Sequence, residues 1–598
     1  MENKKQAIIL SGVAIVALLA LIIGATYAYF RASGNSGSNT DINVTTYTLD
    51  LLSFEMGSDI KINADQTSFA SGKGNATGST FAKAILTANN KTNTATKNYY
   101  MYLNISNNTF TYTQNENTPE LLLTITDVSG NAITSITGLT YKTVIDGKGT
   151  SVSGFDITTK SGLLTLFDNR EITASPTKTE EWNVTVTFVN YNVNQTGNAG
   201  KSFNAKLMIQ QEEYELTLAD ICAGKTLSDC VISQYTGTQG DNALYYHNST
   251  LTNGAGDNSY RYAGGDYVLT EAGKATGATM MIGYNNSVTT ALIDFYCNGT
   301  KQYVGYASSC STSHYYLIKG DTTQYQTYNE ALNASVEKGY LTKDNVKNFV
   351  CFGSDATTCP TENLYRIIGV FNNHVKLIKY DYAKSSLLGT DGDFSQEYTS
   401  NYFSGEQGES PSSNSLYYWN NAGTNTWSAS KLNTVNLNTN FTTNIGTAWA
   451  NKIATTTWKV GGGTYENIGT SVPKTAYQNE VGSSASSTTY GAKIGLMYVS
   501  DYYYSASPSA WTLVGYNSDY TKSYASAKGE NWLYGGGWDW TISRDSDNSD
   551  YAFYVYNNGL VNNNNVYSNY GVRPSFSLLS STTYVSGSGS MSDPVRIN

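Results

Sequence analysis

The sequence predicts a β-rich, multidomain chain: an apolar N-terminal helix, an all-β sandwich, then a mixed α+β region. Three observations lead there. An uncharged run from Gln6 to Phe30 stands between Lys5 and Arg31. Segments between residues 31 and 213 alternate apolar and polar side chains, the pattern of half-buried strands. Beyond residue 213, short helical patterns interleave with hairpin signals.

The N-terminal run comes first. As a helix it would span roughly 37 Å at about 1.5 Å per residue, more than the roughly 30 Å hydrocarbon core of a bilayer. Residues 1–30 therefore read either as a membrane anchor through residues 6–30, lysines inside, or as a secretory signal cut near Thr26, Tyr27 and Ala28. Either reading puts the remainder at the cell surface or outside the cell.

Composition agrees with export. Only 14% of the 598 residues are charged, while 49 are tyrosine and aromatics reach 13%. Such a surface is polar through Asn, Ser, Thr and Tyr rather than through charge. A net charge of -10 with no basic block gives no reason to expect nucleic acid as a partner.

Residues 31–213 supply the sandwich. Tyr99, Met101, Leu103 and Ile105 share one face of "NYYMYLNIS". Trp182, Val184, Val186 and Phe188 do so in "EEWNVTVTFVNY", and Phe203, Ala205, Leu207 and Ile209 in "SFNAKLMIQ". Gly, Asn and Ser clusters separate these runs. A β-sandwich or jelly roll follows.

The apolar run ending "GATYAYF", the segment "TYTLDL" at 46–51, and the closing strands "WNVTVTF" and "SFNAKLMIQQEE" resemble the TasA and camelysin family. That resemblance implies an exported protein of a Gram-positive bacterium, a jelly-roll domain and, for some members, assembly into fibres. Camelysin's metallopeptidase activity is not implied here, because no H-E-x-x-H motif occurs and no histidine precedes His247.

Residues 214–235 read as a connector holding the first of three sequential cysteine pairs: Cys222 and Cys230, Cys297 and Cys310, Cys351 and Cys359. Several connectivities are open, and neighbour pairing is the simplest. It sets a condition at the first pair, because residues eight apart on an unbroken helix lie about 12 Å apart, too far to bridge. "ICAGKTLSDC" must therefore break, and Gly224 is the place for it. Zinc is not expected: there is no C-x-x-C, and His247, His314 and His374 are scattered.

Residues 236–345 read as an elaboration of unassigned fold, containing one helix, "TYNEALNASVEKG", stopped by Gly339. From 346 to 598, "NLYRIIGVFNNHVKLIKYDY" is a hairpin turning on Asn372 and Asn373. The segment "TWSASKLNTVNLNTNF…" opens short helices at Ser428 or Ser430, and "AKIGLMYVSDYYY" reads as a strand. The ordered set of this hairpin, the helix start Trp427 to Leu432, the tryptophan-rich run Trp538 to Arg544 and the ending Gly571 to Pro574 resembles a bacterial surface-domain family with a C-type-lectin-like fold. It implies an α+β C-type-lectin-like domain.

The chemistry-bearing candidates are few. Asp545, Asp547 and Asp550 in "SRDSDNSDY" raise calcium against a solvated loop. Arg573 is a ligand contact or a structural guanidinium. The glycines of "YGGGWDW" lack the Lys-Ser/Thr of a phosphate loop and suit a bend beside packed tryptophans. The asparagines of "NNGLVNNNNVYSNY" form either a solvated surface loop or a recognition surface, since Asn and Tyr are residues of binding loops. The second reading gives a ligand-contacting face of Tyr554, Tyr556, Asn562, Asn564, Tyr567 and Asn569, with Trp538, Trp540 and Arg544 nearby, and Phe553 and Val555 turned inward. The expected function is non-catalytic adhesion or recognition of a protein or glycan, with no cofactor and no metal site. A fibre or matrix subunit and an unrecognised cell-wall or glycan hydrolase are the alternatives.

Overall fold

The computed structural model describes residues 50–64, 72–89, 94–214, 216–282, 290–302, 310, 313–343, 345–398, 414–460, 463–482, 485, 488–512, 531–556 and 559–598. The apolar run 6–30, the segment 31–49 and the turn residues 557–558 lie outside them. Among the described residues no helix is long and apolar enough to cross a membrane. The chain divides into two compact units, the first ending at Leu216 and the second spanning Thr217–Asn598.

The first unit is built from strands β1 (Leu51–Met56), β2 (Ile60–Asn63), β3 (Ala76–Thr87), β4 (Ala95–Asn108), β5 (Leu121–Asp127), β6 (Tyr141–Ile145), β7 (Ser151–Asp156), β8 (Gly162–Ala174), β9 (Thr177–Phe188) and β10 (Ser202–Gln210). They form a six-stranded sheet ordered β1-β3-β9-β5-β7-β6 and a four-stranded sheet ordered β2-β10-β4-β8. All pairings are antiparallel. Both sheets contribute to one apolar core. The alternating residues of β4, β9 and β10 named above are all buried in it. A period of two works here because each sheet has one wet face. The few buried polar groups are paired: the Tyr99 hydroxyl donates to Glu180 at 2.7 Å and accepts from the Trp182 indole at 2.8 Å.

In the second unit the central sheet joins Leu244–Tyr246, Tyr260–Tyr262, Leu364–Phe371, His374–Lys379, Ser575–Ser577 and Ile494–Gly495, with Phe349–Cys351 on the side of Leu364–Phe371. The expected hairpin is present. Asn372 and Asn373 both take positive φ, 48° and 63°, as a two-residue turn between twisted strands requires. From Thr217 onward the predicted connector is part of this unit, whose main core buries Cys222, Leu227, Cys230 and Val231. The 236–345 elaboration divides, because Tyr260–Tyr262 pairs with the central sheet, while Ala291–Cys297, His314–Ile318 and the helix Tyr328–Glu337 surround a smaller core. Thr327 and Glu330 cap that helix reciprocally, and Gly339 follows it at φ 71°.

The three disulfides pair neighbours: Cys222–Cys230, Cys297–Cys310 and Cys351–Cys359. The geometric condition at the first is met. One helix ends at Cys222, Gly224 takes φ 73°, and a second helix runs Leu227–Ser233. This brings the two Cα atoms to 4.6 Å.

Two expectations are corrected. "VSDYYY" is a helix, Val499–Tyr504, although tyrosine favours strands. Two carboxylates nucleate it: Asp501 accepts from the Tyr498 N–H at 2.8 Å, and Glu480 accepts from the Val499 and Ser500 N–H groups at 3.0 and 2.9 Å. Terminal N–H groups that lack helical partners are thereby satisfied. The second correction concerns the asparagine stretch. Val561–Asn565 is a strand rather than a loop, paired antiparallel with Tyr551–Val555.

Candidate ligand-binding site

The predicted face divides. The strand Tyr551–Val555 lies between Asp539–Arg544 and Val561–Asn565. Phe553 and Val555 are buried, as expected. Tyr554 and Trp540 are corrections: both were expected to contact ligand, yet they are 4% and 0% exposed. The second face of this strand is covered too. Tyr570 stacks on Tyr554 with centroids 4.5 Å apart and packs against Trp540 at 4.6 Å. The Trp540 indole donates to the Tyr417 carbonyl at 2.9 Å. A central strand buried on both faces reads as a continuous apolar-aromatic run, and "YAFYVY" is one.

Outside this aromatic stack, Trp538 and Tyr556 are half-buried, their centroids 5.9 Å apart. Asn562 is exposed and lies directly across from Tyr554. Tyr567 is 50% exposed. Asn564 donates its amide to the Tyr570 hydroxyl at 2.6 Å, and Asn569 pairs in register with Tyr418. Tyr570, which joins both halves of this arrangement, was not singled out in the sequence. Arg544 reaches Asn425 at 3.3 Å instead.

The aspartates of 545–550 do not converge. Asp545 is buried, and its carboxylate accepts from the Asp547 N–H at 2.9 Å and the Asn563 amide at 2.6 Å. Asn425 donates to the carbonyls of Asp545, Asn548 and Tyr551, which pins the loop. Among the described residues no three His, Cys, Asp or Glu side chains gather as metal ligands. Arg573 is structural: it is buried, pairs with Asp539 at 2.5 Å and donates to the Leu533 carbonyl at 2.7 Å. Gly571 lies so close to Tyr382 that a Cβ there would collide with the ring. His247 is buried between Tyr504 and Trp511. Its Nδ1 accepts from the Ala255 N–H at 3.0 Å, and burial, then Arg261, hold it well below the usual imidazole range.

A second site was missed. Register places Arg261 beside Gly369, Gly369 beside Lys376, and Lys376 beside Ser577, a row across four strands on one face. Above the row is a cavity of about 260 Å³. Arg261 is 2% exposed and Lys376 7%. Arg261 binds Asp257 at 2.6 Å and Ser259 at 2.8 Å; Lys376 binds Asp501 at 2.5 Å. Aromatic rings form the walls: the Arg261 guanidinium is 4.7 Å from Phe371 and 5.3 Å from Tyr477, and the Lys376 ammonium 4.6 Å from Tyr498 and 5.4 Å from Trp458. Burial opposes ionisation of Asp257, but the Arg261 charge and the Ser259 bonds hold its carboxyl well below the usual range. Burial lowers the Lys376 ammonium against the pull of Asp501. Behind the wall, burial pushes Glu480 up to about 7. No local motif announces this site, because its charges come from four separate segments.

No family model matches the chain, and no curated protein matches it.

Proposed function

We propose that the protein is an exported cell-surface protein whose second unit is a non-catalytic recognition module, preceded in the chain by a β-sandwich unit. On this reading the first unit is a jelly roll of the TasA and camelysin type and the second is C-type-lectin-like. Residues 6–30 anchor the chain or direct its export. The observation that carries the recognition function is the face around Trp538, Tyr556, Asn562 and Tyr567. Its aromatic and amide groups stay accessible while the strands beneath are locked by the buried Trp540–Tyr554–Tyr570 stack. Rigid aromatic anchors beside adaptable amides suit a binding surface. Three disulfides in a charge-poor chain favour an oxidising compartment.

The test uses Tyr556→Ala, Asn562→Ala and Tyr567→Ala, measuring melting temperature and binding to cells and immobilised glycans on the same samples. The expected outcome is intact melting for Asn562→Ala and Tyr567→Ala with weakened binding, about 2 kcal/mol for an aromatic anchor. Unchanged binding in all three variants refutes the reading.

One observation favours a fibre subunit as second reading. Among the described residues β1 pairs only with β3, and its Leu51 and Met56 are exposed. An open, partly apolar edge is a template for another strand. Filaments formed by the purified protein and lost on Leu51→Lys would support it.

A further inference from the structure

We propose that the cavity floored by Arg261 and Lys376 binds one neutral sugar unit of a glycan. This narrows the ligand class of the recognition reading, on which it rests, and puts that ligand at a site separate from the strand face.

Size comes first. At about 260 Å³, the cavity falls just below the roughly 300–1,000 Å³ of typical small-molecule pockets, so it suits a single ring rather than a chain. Charge comes second. Five ionic groups line it: Asp257 pairs with Arg261, Asp501 pairs with Lys376, and the Lys459 ammonium donates to the Val481 carbonyl at 2.6 Å. A charged ligand seated on the floor has to compete with one of the two ion pairs, and separating a buried pair leaves its partner uncompensated. A neutral ligand leaves both pairs intact.

Remaining hydrogen-bond capacity comes third. An ammonium carries three N–H donors. Among the described residues, Lys376 has one hydrogen-bond acceptor, Asp501. The nearest Arg261 nitrogen to Asp501, Nη1, stands 3.9 Å away, too far for a hydrogen bond. Asn372, Thr457 and Ser577 add amide and hydroxyl groups to the lining. A ring of vicinal hydroxyls supplies acceptors to the spare N–H groups and donors to the carboxylates. The walls come fourth. Trp458, Tyr477, Tyr498 and Phe371 offer apolar surface for the C–H face of such a ring. A small uncharged apolar molecule would leave the spare donors unpaired, and is disfavoured for that reason.

The experiment titrates the full chain with neutral hexoses and N-acetylhexosamines, with hexuronic acids and with free amino acids. Binding is read by tryptophan fluorescence and by ligand-observed NMR. Two variants keep the buried charges in place. Thr457→Trp fills the mouth from an exposed strand position, and Asn372→Gly removes a lining amide while still suiting a turn at φ 48°. The expected result is saturable binding of at least one neutral sugar. Thr457→Trp should weaken it by about tenfold or more, as loss of a central contact does, and Asn372→Gly by less, both at unchanged melting temperature. Absence of any saturable neutral sugar overturns the proposal. So does neutral-sugar binding that both variants leave untouched, or a preference for uronic acids or amino acids. Tyr567→Ala separates the two sites. Sugar binding that survives it supports the cavity even if the strand face binds nothing, and loss of cavity binding with an active strand face overturns this inference alone.

Discussion

Two asparagines one position apart behave differently. Asn562 is exposed, whereas Asn563 donates its amide to the buried Asp545 carboxylate at 2.6 Å. Asn562→Ala should change stability within about ±0.5 kcal/mol. Asn563→Ala should cost about 1–3 kcal/mol, because it leaves a buried charged acceptor short of a donor. Chemical denaturation of the two variants decides; equal costs would mean that the strand geometry rather than the amide holds Asp545. Glu480 supplies a pH test. Its buried carboxyl titrates at about 7, against 4.5 for an ordinary glutamate. Between those values the folded state binds more protons than the unfolded chain, so this group's contribution is fully present below pH 4.5 and is lost as pH rises through 7. Glu480→Gln mimics the protonated form. Its melting temperature should fall less steeply than the parent's across that window, and identical slopes would refute the assignment.

At the scale of elements, the Cys222–Cys230 bridge staples two short helices, Leu218–Cys222 and Leu227–Ser233, the second packed into the main core. Replacing both cysteines by serine should cost about 2.5 kcal/mol, the chain-entropy value for so short a loop. Non-reducing peptide mapping should recover all three neighbour pairs, and a crossed pair would contradict the structure. Legibility also differed by element. The strands of the first unit were readable because each has one wet face. The Asn372–Asn373 hairpin was readable because few residues accept positive φ at successive positions. Tyr554 was misread because tyrosine looks amphipathic in a sequence, while here another aromatic layer covers it. The helix Val499–Tyr504 was misread because part of what starts it, Glu480, lies on the preceding helix. The cavity was illegible for the same reason on a larger scale: Lys376 and Asp501 are 125 residues apart.

At the scale of the whole molecule, the two units carry separate apolar cores. All six cysteines belong to the second, since each disulfide joins residues beyond Thr217. Reduction therefore acts on one unit. A bridge stabilises mainly by restricting the unfolded chain it closes, and the unfolded first unit contains none. Calorimetry of the full chain should resolve two transitions, one of which the isolated fragment 217–598 reproduces when it is made under oxidising conditions. Added reductant should lower that transition by several degrees, because a loss of about 1 kcal/mol moves the midpoint of a large domain by about 2–4 °C. The other transition should stay where it was. A single cooperative transition, or equal shifts in both, would show that the units unfold as one body. A fragment that melts far below its counterpart in the full chain would show that residues before Thr217 hold the second core together.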